Sequence, residues 1–195
     1  MKERLKKQID FILEIDKMKN LYRQTYVLND DRKENDAEHS WHLAIMAFML
    51  SEYSNHTIDV LKVMKMVLIH DIVEIDAGDT YCYDEKGNST KAEREETAAQ
   101  RIFGLLPEDQ RDEYYMLWRE FEDSKSNEAR FAAVLDRLQP LMLNYTKKGI
   151  SWKEHGIYKE QVINRNKEYF SQSDEIAELI LSLIDDAAQK GWLKT

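Results

Sequence analysis

A histidine and several carboxylates follow directly on a very apolar segment of the chain. The segment reads LIHDIVEIDAGDT over 68–80, and its histidine and acids are His70, Asp71, Glu74, Asp76 and Asp79. A buried helix should not draw unpaired charge into its own core, because removing a lone carboxylate from water costs free energy. An imidazole next to a carboxylate forms a mixed nitrogen and oxygen site, which suits a divalent metal ion.

Two ligands do not complete a metal site, so others must come from elsewhere in the chain. Among the five histidines, His39 lies on an apolar helical stripe, where an imidazole needs a partner, and His42 lies at its edge. Asp136 lies beside a second apolar stripe, in EARFAAVLDRLQPLMLNY. Spacing leaves other interpretations open. A lone His–Asp pair is commonly a solvated helix end, His39 alone can be a satisfied core histidine, and Asp136 next to Arg137 can form a surface ion pair.

Pro140 lies four residues after Asp136. A proline has no backbone N–H, and its ring crowds the carbonyl group four residues earlier, so a helix bends or breaks there. A bend would turn the Asp136 carboxylate towards the interior. The alternative is a break between two shorter helices.

The composition indicates a helical protein. The chain has 195 residues, 43% of them apolar, with only six glycines and two prolines. Long helices tolerate few of these two residues, whereas turn-rich β folds use many. The length suits one domain with a sizeable core. We therefore predict an all-α fold, with a single domain over 1–195.

Charge and hydropathy exclude several classes of function. The formal net charge of −9 disfavours nonspecific binding to nucleic acid. No run reaches the ~20 apolar residues that span a bilayer, and the N-terminal MKERLKKQIDFILEID lacks the apolar stretch of a signal peptide. The single cysteine, Cys82, cannot form an intramolecular disulfide, which fits a reducing compartment. These features predict a soluble cytoplasmic protein with no nucleic-acid or membrane partner.

Apolar periodicity predicts the elements that position these residues. The expected helices cover about 2–19, 37–53, 60–74, 90–105, 107–122, 127–147, 153–170 and 174–190. We expect Asp36 and Asp59 to act as N-caps and Pro107 to open a helix. The segments 20–36 and 76–90 are predicted to be irregular, and long irregular connections are often functional.

Four motifs in order resemble the HD-domain metal-dependent phosphohydrolases. They are AEHSWH at 37–42, LIHDIVE at 68–74, AGD at 77–79 and ARFAAVLDRLQPLMLNY at 129–145. Within that family the chain resembles the 5′-deoxynucleotidase branch, which acts on nucleoside monophosphates. The resemblance runs from about Leu21 to Tyr145 and implies a single HD-domain helical bundle.

The resemblance also implies roles for individual residues. The implied metal ligands are His39, His70, Asp71 and Asp136. Glu74 matches the catalytic carboxylate of the family, and Asp79 matches a second acid near the substrate. Arg23 matches an arginine that contacts the phosphate. Where the branch commonly has Arg-x-Gly-Trp, this chain has Arg23-Gln24-Thr25-Tyr26, so Tyr26 takes the place of the tryptophan as a candidate substrate-binding residue.

The implied activity is hydrolysis of (deoxy)ribonucleoside 5′-monophosphates to nucleoside and phosphate. One divalent ion, Mn, Co, Mg or similar, would serve as cofactor, and a small-molecule nucleotide would be the substrate. The family resemblance implies a homodimer, with the final helices as candidate interface elements. One alternative is an HD-type hydrolase of a triphosphate, a cyclic dinucleotide or a stringent-response nucleotide. The other is a metal-bound helical scaffold without turnover.

Overall fold

Helices make up most of the molecule, and the prediction of an all-α fold is confirmed. In a computed structural model of the chain, the structure describes residues 2–195, apart from the side chain of Glu85. The helices are α1 Glu3–Ile15, α2 Asp36–Leu50, α3 Val60–Ile69, α4 Glu74–Ala77, α5 Glu85–Phe103, α6 Glu108–Asp123, α7 Asn127–Thr146, α8 Ile150–His155, α9 Lys159–Asn166 and α10 Asp174–Gln189. In the described residues, no helix is both long and apolar enough to cross a membrane.

A small hairpin lies between α1 and α2, in the segment that was expected to be irregular. Strands β1, Tyr22–Tyr26, and β2, Lys33–Asn35, pair in antiparallel orientation. The expectation of an irregular segment is therefore wrong for these residues. The strands are short and polar, and their pairing is bulged between Tyr22 and Tyr26, so they carry little of the apolar alternation by which strands are recognised.

Helix α7 lies in the larger of two hydrophobic cores. It contacts α2, α3, α6 and α10. Leu43 of α2, Val63 of α3 and Leu135 of α7 are completely buried in this core. Each such side chain contributes about 1.5–3 kcal/mol when it leaves water. These three helices also carry or precede the predicted metal ligands, so the packing of the core positions the site.

The second core lies beside the first. Phe103 of α5 and Trp118 of α6 are buried there, and their rings contact each other. Phe103 also contacts Tyr114, which in turn contacts Phe11 of α1. The core also receives the residues that follow α3, which link it to the site.

Pro140 does not interrupt α7. The helix is continuous over Asn127–Thr146, so the alternative of two shorter helices is wrong. Its first turn is capped by Ser126, whose hydroxyl accepts a hydrogen bond from the backbone N–H of Ala129 at 3.2 Å. Because Asp136 and Pro140 share one helix, the position of the Asp136 carboxylate is tied to the buried face of α7.

The start of α2 differs from the prediction by one residue, and the difference matters for the site. Asn35, and not Asp36, is the N-cap: its side chain accepts from the N–H of Glu38, and Glu38 reaches back to the N–H of Asn35. This reciprocal capping box satisfies two donors of the first turn. Asp36 is the first residue of the helix and is completely buried. Its predicted capping role is wrong, whereas that of Asp59 on α3 is confirmed.

The third predicted helix ends earlier than expected. α3 stops at Ile69, a 3-10 turn covers His70–Val73, and the four residues of α4 follow. Gly78 then adopts a φ of 77°, which favours glycine because it has no Cβ. This turn directs the chain from Glu74 back towards Asp79. The tighter turn explains why His70 and Asp71, although adjacent, lie near the same group of ligands.

Two other boundaries were predicted wrongly. α5 begins at Glu85 rather than at about 90, because Asp84 caps it by accepting from the N–H groups of Lys86 and Gly87. The single helix expected over 153–170 is divided into α8, α9 and a 3-10 helix over Lys167–Gln172. Gly156 ends α8 with a φ of 64°, a conformation that terminates helices.

Candidate metal centre

The four residues implied as metal ligands lie together in the structure. His39 comes from α2, His70 and Asp71 come from the turn after α3, and Asp136 comes from α7. Nε2 of His39 lies 3.1 Å from Oδ1 of Asp136 and 3.9 Å from Oδ2 of Asp71. Nε2 of His70 lies 3.1 Å from Oδ1 of Asp71 and 3.7 Å from Oδ1 of Asp136. Two imidazole nitrogens thus face the same two carboxylates.

His70 presents its Nε2 to this cluster. Its Nδ1 lies 3.0 Å from the carbonyl oxygen of Val67, so Nδ1–H is the donor and Nε2 faces the carboxylates. Nε2 is buried and has no hydrogen-bond partner among the described residues. A buried nitrogen without a partner, set between two carboxylates, fits a divalent cation. His39, His70 and Asp136 can each offer a ligand atom, and these atoms lie within 4.8 Å of one another.

The imidazoles and carboxylates of the cluster shift each other's pKa values in opposite directions. Burial lowers the pKa of His70, but Asp71 and Asp136 outweigh it and raise that pKa well above its usual value. Burial raises the pKa of Asp136, but the nearby imidazoles of His39 and His70 outweigh it and hold that pKa well below its ordinary value. The imidazoles therefore hold protons against the carboxylates when no ion lies between them. A divalent ion would replace these protons, because metal binding needs neutral imidazoles.

A buried network orients His39. Its Nδ1 lies 3.0 Å from Oε1 of Gln139 and donates to it. Nε2 of Gln139 in turn donates to Oε1 of Glu34 at 2.6 Å and lies 3.2 Å from Nδ1 of His42. With Nδ1–H held in this way, Nε2 of His39 is directed at Asp136. Such outer partners set the tautomer and raise the basicity of a ligating imidazole.

Arg23 reaches the ligand cluster from β1. Its Nη1 donates to Oδ2 of Asp71 at 2.7 Å and to Oδ1 of Asp36 at 3.3 Å. Its Nη2 lies 3.9 Å from Oδ1 of Asp136. The guanidinium thus neutralises part of the acidic charge and lies where a phosphate bound at the cluster would meet it.

Tyr26 does not share this position. Arg23, Gln24 and Thr25 line the pocket in front of the cluster, whereas the Tyr26 hydroxyl donates to Oε1 of Glu154 at 3.0 Å on the exposed side. Successive side chains of a strand point to opposite faces, and Thr25 is the buried neighbour. The expectation that Tyr26 contacts the substrate is not supported by its position.

Glu74 lies beside the ligands on the other side of Asp71. Asp36, Asp71 and Glu74 can each offer a carboxylate oxygen, and these atoms lie within 4.8 Å of one another. Burial and the neighbouring Asp71 raise the pKa of Glu74 well above its usual value, and they raise the pKa of Asp36 to about 7. Oε2 of Glu74 has no hydrogen-bond partner among the described residues. Burial and Asp71 thus favour the protonated form of the Glu74 carboxyl group, which lies beside the candidate ligand Asp71.

The ligand cluster opens into one pocket. Its lining includes Arg23, Asp71, Glu74, Asp79 and Asp136, together with Tyr81, Tyr83, Trp152 and Arg165. Burial raises the pKa of Asp79, while Arg23 opposes the rise. The pocket therefore combines candidate metal ligands, a cation for a phosphate, acids for proton transfer and aromatic walls.

A further charged pair lines the pocket on α5. Nζ of Lys91 lies 3.4 Å from Oε1 of Glu95. Burial raises the pKa of Glu95 to about 7, although Lys91 opposes the rise. Lys91 is therefore paired rather than fully solvated.

Sequence reasoning missed four residues of the site. Glu34 lay in the segment expected to be irregular, and Asp36 was expected at an exposed helix end. Gln139 carried a usable signal, because it lies three residues after Asp136 and three residues place two side chains on one helix face. Arg165 lies beyond the four motifs, and only the tertiary packing brings it to the pocket.

Comparison with known families places this geometry in context. The model of the HD domain family matches residues 15–177. A human protein named 5′-deoxynucleotidase HDDC2 is 31% identical over 135 residues, which are 69% of this chain and 65% of that protein. The matched segment therefore spans slightly less than two thirds of the human protein. The Dictyostelium discoideum protein of the same name is 28% identical over 143 residues, covering 70% of this chain and 75% of its own.

Solved structures agree with the family match. A protein of Magnetospirillum magnetotacticum, described as a predicted metal-dependent phosphohydrolase, is 47% identical with a TM-score of 0.94, covering 98% of this chain and 96% of its own. The PH0347 protein of Pyrococcus horikoshii has a TM-score of 0.64 at 21% identity, covering 90% of this chain and 99% of its own. At that identity the second likeness concerns the fold alone.

Proposed function

This chain belongs to the HD domain family, and on that premise we propose that it is a metal-dependent phosphohydrolase of (deoxy)ribonucleoside 5′-monophosphates. The products would be a nucleoside and inorganic phosphate. The observation that carries the proposal is the position of His70. Its buried Nε2 has no hydrogen-bond partner among the described residues, and it faces the carboxylates of Asp71 and Asp136. Names of similar proteins support the same reaction class.

We assign four residues to one divalent ion. His39, His70, Asp71 and Asp136 would hold Mn, Co, Mg or a similar ion, and the donor set is balanced because two carboxylates neutralise its charge. When bound, such an ion lowers the pKa of coordinated water and offsets the charge of a phosphate. Gln139 and Glu34 keep the His39 imidazole in the ligating tautomer.

Arg23 binds the phosphate in this proposal. A guanidinium can donate to two phosphate oxygens at once, which fixes the orientation of a monoester better than a lysine does. Asp36 and Asp71 hold the guanidinium beside the ligands. Arg23 therefore positions the scissile phosphate next to the ligand cluster and to Glu74.

Glu74 and Asp79 move the protons. Hydrolysis adds water across the P–O bond: the hydroxyl group goes to phosphorus, and a proton goes to the sugar oxygen that leaves. Because burial and Asp71 raise its pKa well above the usual value, the Glu74 carboxyl group is suited to hold a proton and give it to that oxygen. Asp79, which lines the same pocket, can take the proton of the attacking water.

The experiment that tests the proposal is a phosphate-release assay. Ribo- and deoxyribonucleoside mono-, di- and triphosphates are each incubated with Mg²⁺, Mn²⁺ or Co²⁺, and a chelator serves as control. The assay compares the wild type with Asp71→Ala. We expect metal-dependent release from monophosphates, lost in the variant. Release from triphosphates alone would favour another HD-type hydrolase, and stoichiometric metal binding without any release would favour a scaffold.

We also propose that the protein is a homodimer, with a different interface from the one first expected. Helix α2 exposes four apolar side chains at helical spacing, namely Trp41, Ile45, Phe48 and Met49. Phe48 is 70% exposed and Trp41 is 64% exposed. A row of large apolar side chains in water is typical of an interaction surface. This α2 stripe is a better candidate than the final helices, where Leu179 and Leu181 are only 43% and 37% exposed.

A cytoplasmic location and a small-molecule nucleotide substrate complete the proposal. The single Cys82 has no second cysteine with which to pair, which suits a reducing compartment. Cell fractionation tests the location directly.

A further inference from the structure

Arg165 differs from the other arginines of the chain. The chain has ten arginines, and nine guanidinium groups donate hydrogen bonds to carboxylates or to other oxygen acceptors. Within residues 2–195, the guanidinium of Arg165 has neither a hydrogen bond nor an ion pair. Yet Arg165 is partly buried on α9 and lines the pocket that contains Asp136. Such a charge normally finds a protein partner or belongs to a ligand.

The backbone of Arg165 is held in place. Nη1 of Arg137 donates to the carbonyl oxygen of Arg165 at 2.7 Å. The Arg137 guanidinium also stacks on the ring of Tyr169, with its central carbon 3.9 Å from the ring centre. Arg137 is therefore engaged in structure, and it anchors α9 to α7 directly after Asp136. The Arg165 side chain remains available to a ligand on a rigid support.

Charges of both signs lie near Arg165: Arg23 and Arg137 are positive, whereas Asp136 is negative. No acidic side chain described by the structure lies within 4 Å of the Arg165 nitrogens. The groups that favour its charge are Cys82, Asp136 and Tyr83, and Asp136 is already engaged with His39 and His70. No carboxylate described by the structure is therefore paired with the Arg165 guanidinium, which leaves this positive charge available to an anionic ligand.

We propose that Arg165 binds a second phosphate group of the substrate, on the part of the nucleotide that leaves the metal centre. The proposal rests on the proposed function, since it places the first phosphate at Arg23 and the ligand cluster. A guanidinium donates to two phosphate oxygens in a fork geometry, and it keeps its charge at every physiological pH. A neutral base would satisfy the donors but leave the charge uncompensated. The preferred substrate in this inference therefore carries a second phosphate besides the terminal 5′-phosphate that is hydrolysed.

Two sources could present that phosphate. It could be attached to the 3′-oxygen of the sugar, as in adenosine 3′,5′-bisphosphate, or it could be the inner phosphate of a diphosphate chain, as in ADP. In both cases the terminal 5′-phosphate is hydrolysed and Arg165 holds the second phosphate of the leaving group.

The test measures kcat/KM for AMP, GMP, adenosine 3′,5′-bisphosphate and ADP. Wild type is compared with Arg165→Ala, with Arg165→Lys and with Arg130→Ala. Arg130 is the control. It stacks on the Tyr169 ring, as Arg137 does, but it does not line the pocket. We expect one doubly phosphorylated substrate to exceed AMP by about 10- to 100-fold in wild type, as charged hydrogen bonds permit. Arg165→Ala should lose this advantage, Arg165→Lys should keep part of it, and Arg130→Ala should keep it all.

The outcomes separate this inference from the proposed function. Preference for the bisphosphate or for ADP identifies the source of the second phosphate. Hydrolysis of AMP with no advantage for either, or an advantage that survives Arg165→Ala, would overturn the inference alone. If wild type prefers GMP and Arg165→Ala does not, Arg165 binds the nucleobase rather than a second phosphate, and the inference is overturned. If no nucleotide is hydrolysed, calorimetric binding of adenosine 3′,5′-bisphosphate and of ADP still decides: equal affinity of wild type and Arg165→Ala for both nucleotides would refute the role of Arg165.

Discussion

His39 and Gln139 are 100 positions apart in the chain, yet the imidazole Nδ1 of His39 lies 3.0 Å from the amide oxygen of Gln139. Both groups are completely buried. The amide nitrogen of Gln139 is held by Glu34 at 2.6 Å, so the amide cannot rotate without breaking this bond. The ligating tautomer of His39 is therefore set by residues outside the ligand cluster.

We predict that Gln139→Leu weakens metal binding while the fold is retained. Leucine has a similar size, but it cannot accept the Nδ1–H of His39 and leaves Glu34 without its partner. Loss of such an outer partner typically costs about 10- to 100-fold in metal affinity. Competition with a chelator measures the affinity for Mn²⁺. Gln100→Leu is the control, because Gln100 is exposed on α5 and bonds only to Glu96. Equal affinity in both variants would show that His39 needs no such partner.

Glu74→Gln should separate turnover from metal binding. The amide keeps the shape of the side chain but can neither hold nor give a carboxyl proton, and removal of a general acid typically lowers kcat by about 10²- to 10⁴-fold. We expect the variant to bind one equivalent of metal by elemental analysis. Asp136→Asn should instead lose the metal, since Asp136 faces both imidazoles. A Glu74→Gln variant with full activity would remove Glu74 from the mechanism.

Metal binding should release protons and strengthen as the pH rises. Asp71 and Asp136 raise the pKa of His70 well above its usual value, and Asp136 and Glu34 raise that of His39 despite burial. These raised pKa values favour protonated imidazoles, and an incoming ion must displace their protons. Titration of Mn²⁺ into weakly buffered protein at pH 7 measures this release directly. Affinity independent of pH, without proton release, would contradict the protonated state.

The α2 stripe should hold the proposed dimer together. Phe48→Glu places a charge in the middle of the exposed apolar row, and burying an unpaired carboxylate costs several kcal/mol. We expect wild type to sediment as a dimer and the variant as a monomer with an unchanged circular dichroism spectrum. Leu181→Glu on α10 is the control for the final helices. If Leu181→Glu dissociates the dimer and Phe48→Glu does not, the interface lies at the other end of the chain.

The sequence allowed the helical class and most helices to be predicted, because their apolar stripes are long and repeated. It also brought out His39 and Asp136 as polar residues on or beside such stripes. Residues whose environment depends on distant elements were not predictable. Asp36 is buried because Arg23 reaches it from a hairpin, and a hairpin of short polar strands has almost no apolar period. Arg165 lines the pocket through the packing of α9 against α7, which local spacing does not encode.

The last prediction concerns Glu95 and the dependence of stability on pH. Burial raises the pKa of Glu95 to about 7 in the folded protein, above its ordinary value of 4.5. Between these two values the folded state binds more protons than the unfolded state, so the free energy of unfolding falls as the pH rises. Glu95→Gln has no titrating carboxyl group at this position, so its free energy of unfolding does not fall for this reason as the pH rises. The variant should therefore gain stability relative to wild type from pH 5 to pH 8, by at most about 3 kcal/mol. Urea unfolding at several pH values measures the difference. Glu93→Gln, exposed on the same helix, should show no such trend, and a pH-independent difference for Glu95→Gln would place its carboxylate in an ordinary polar environment.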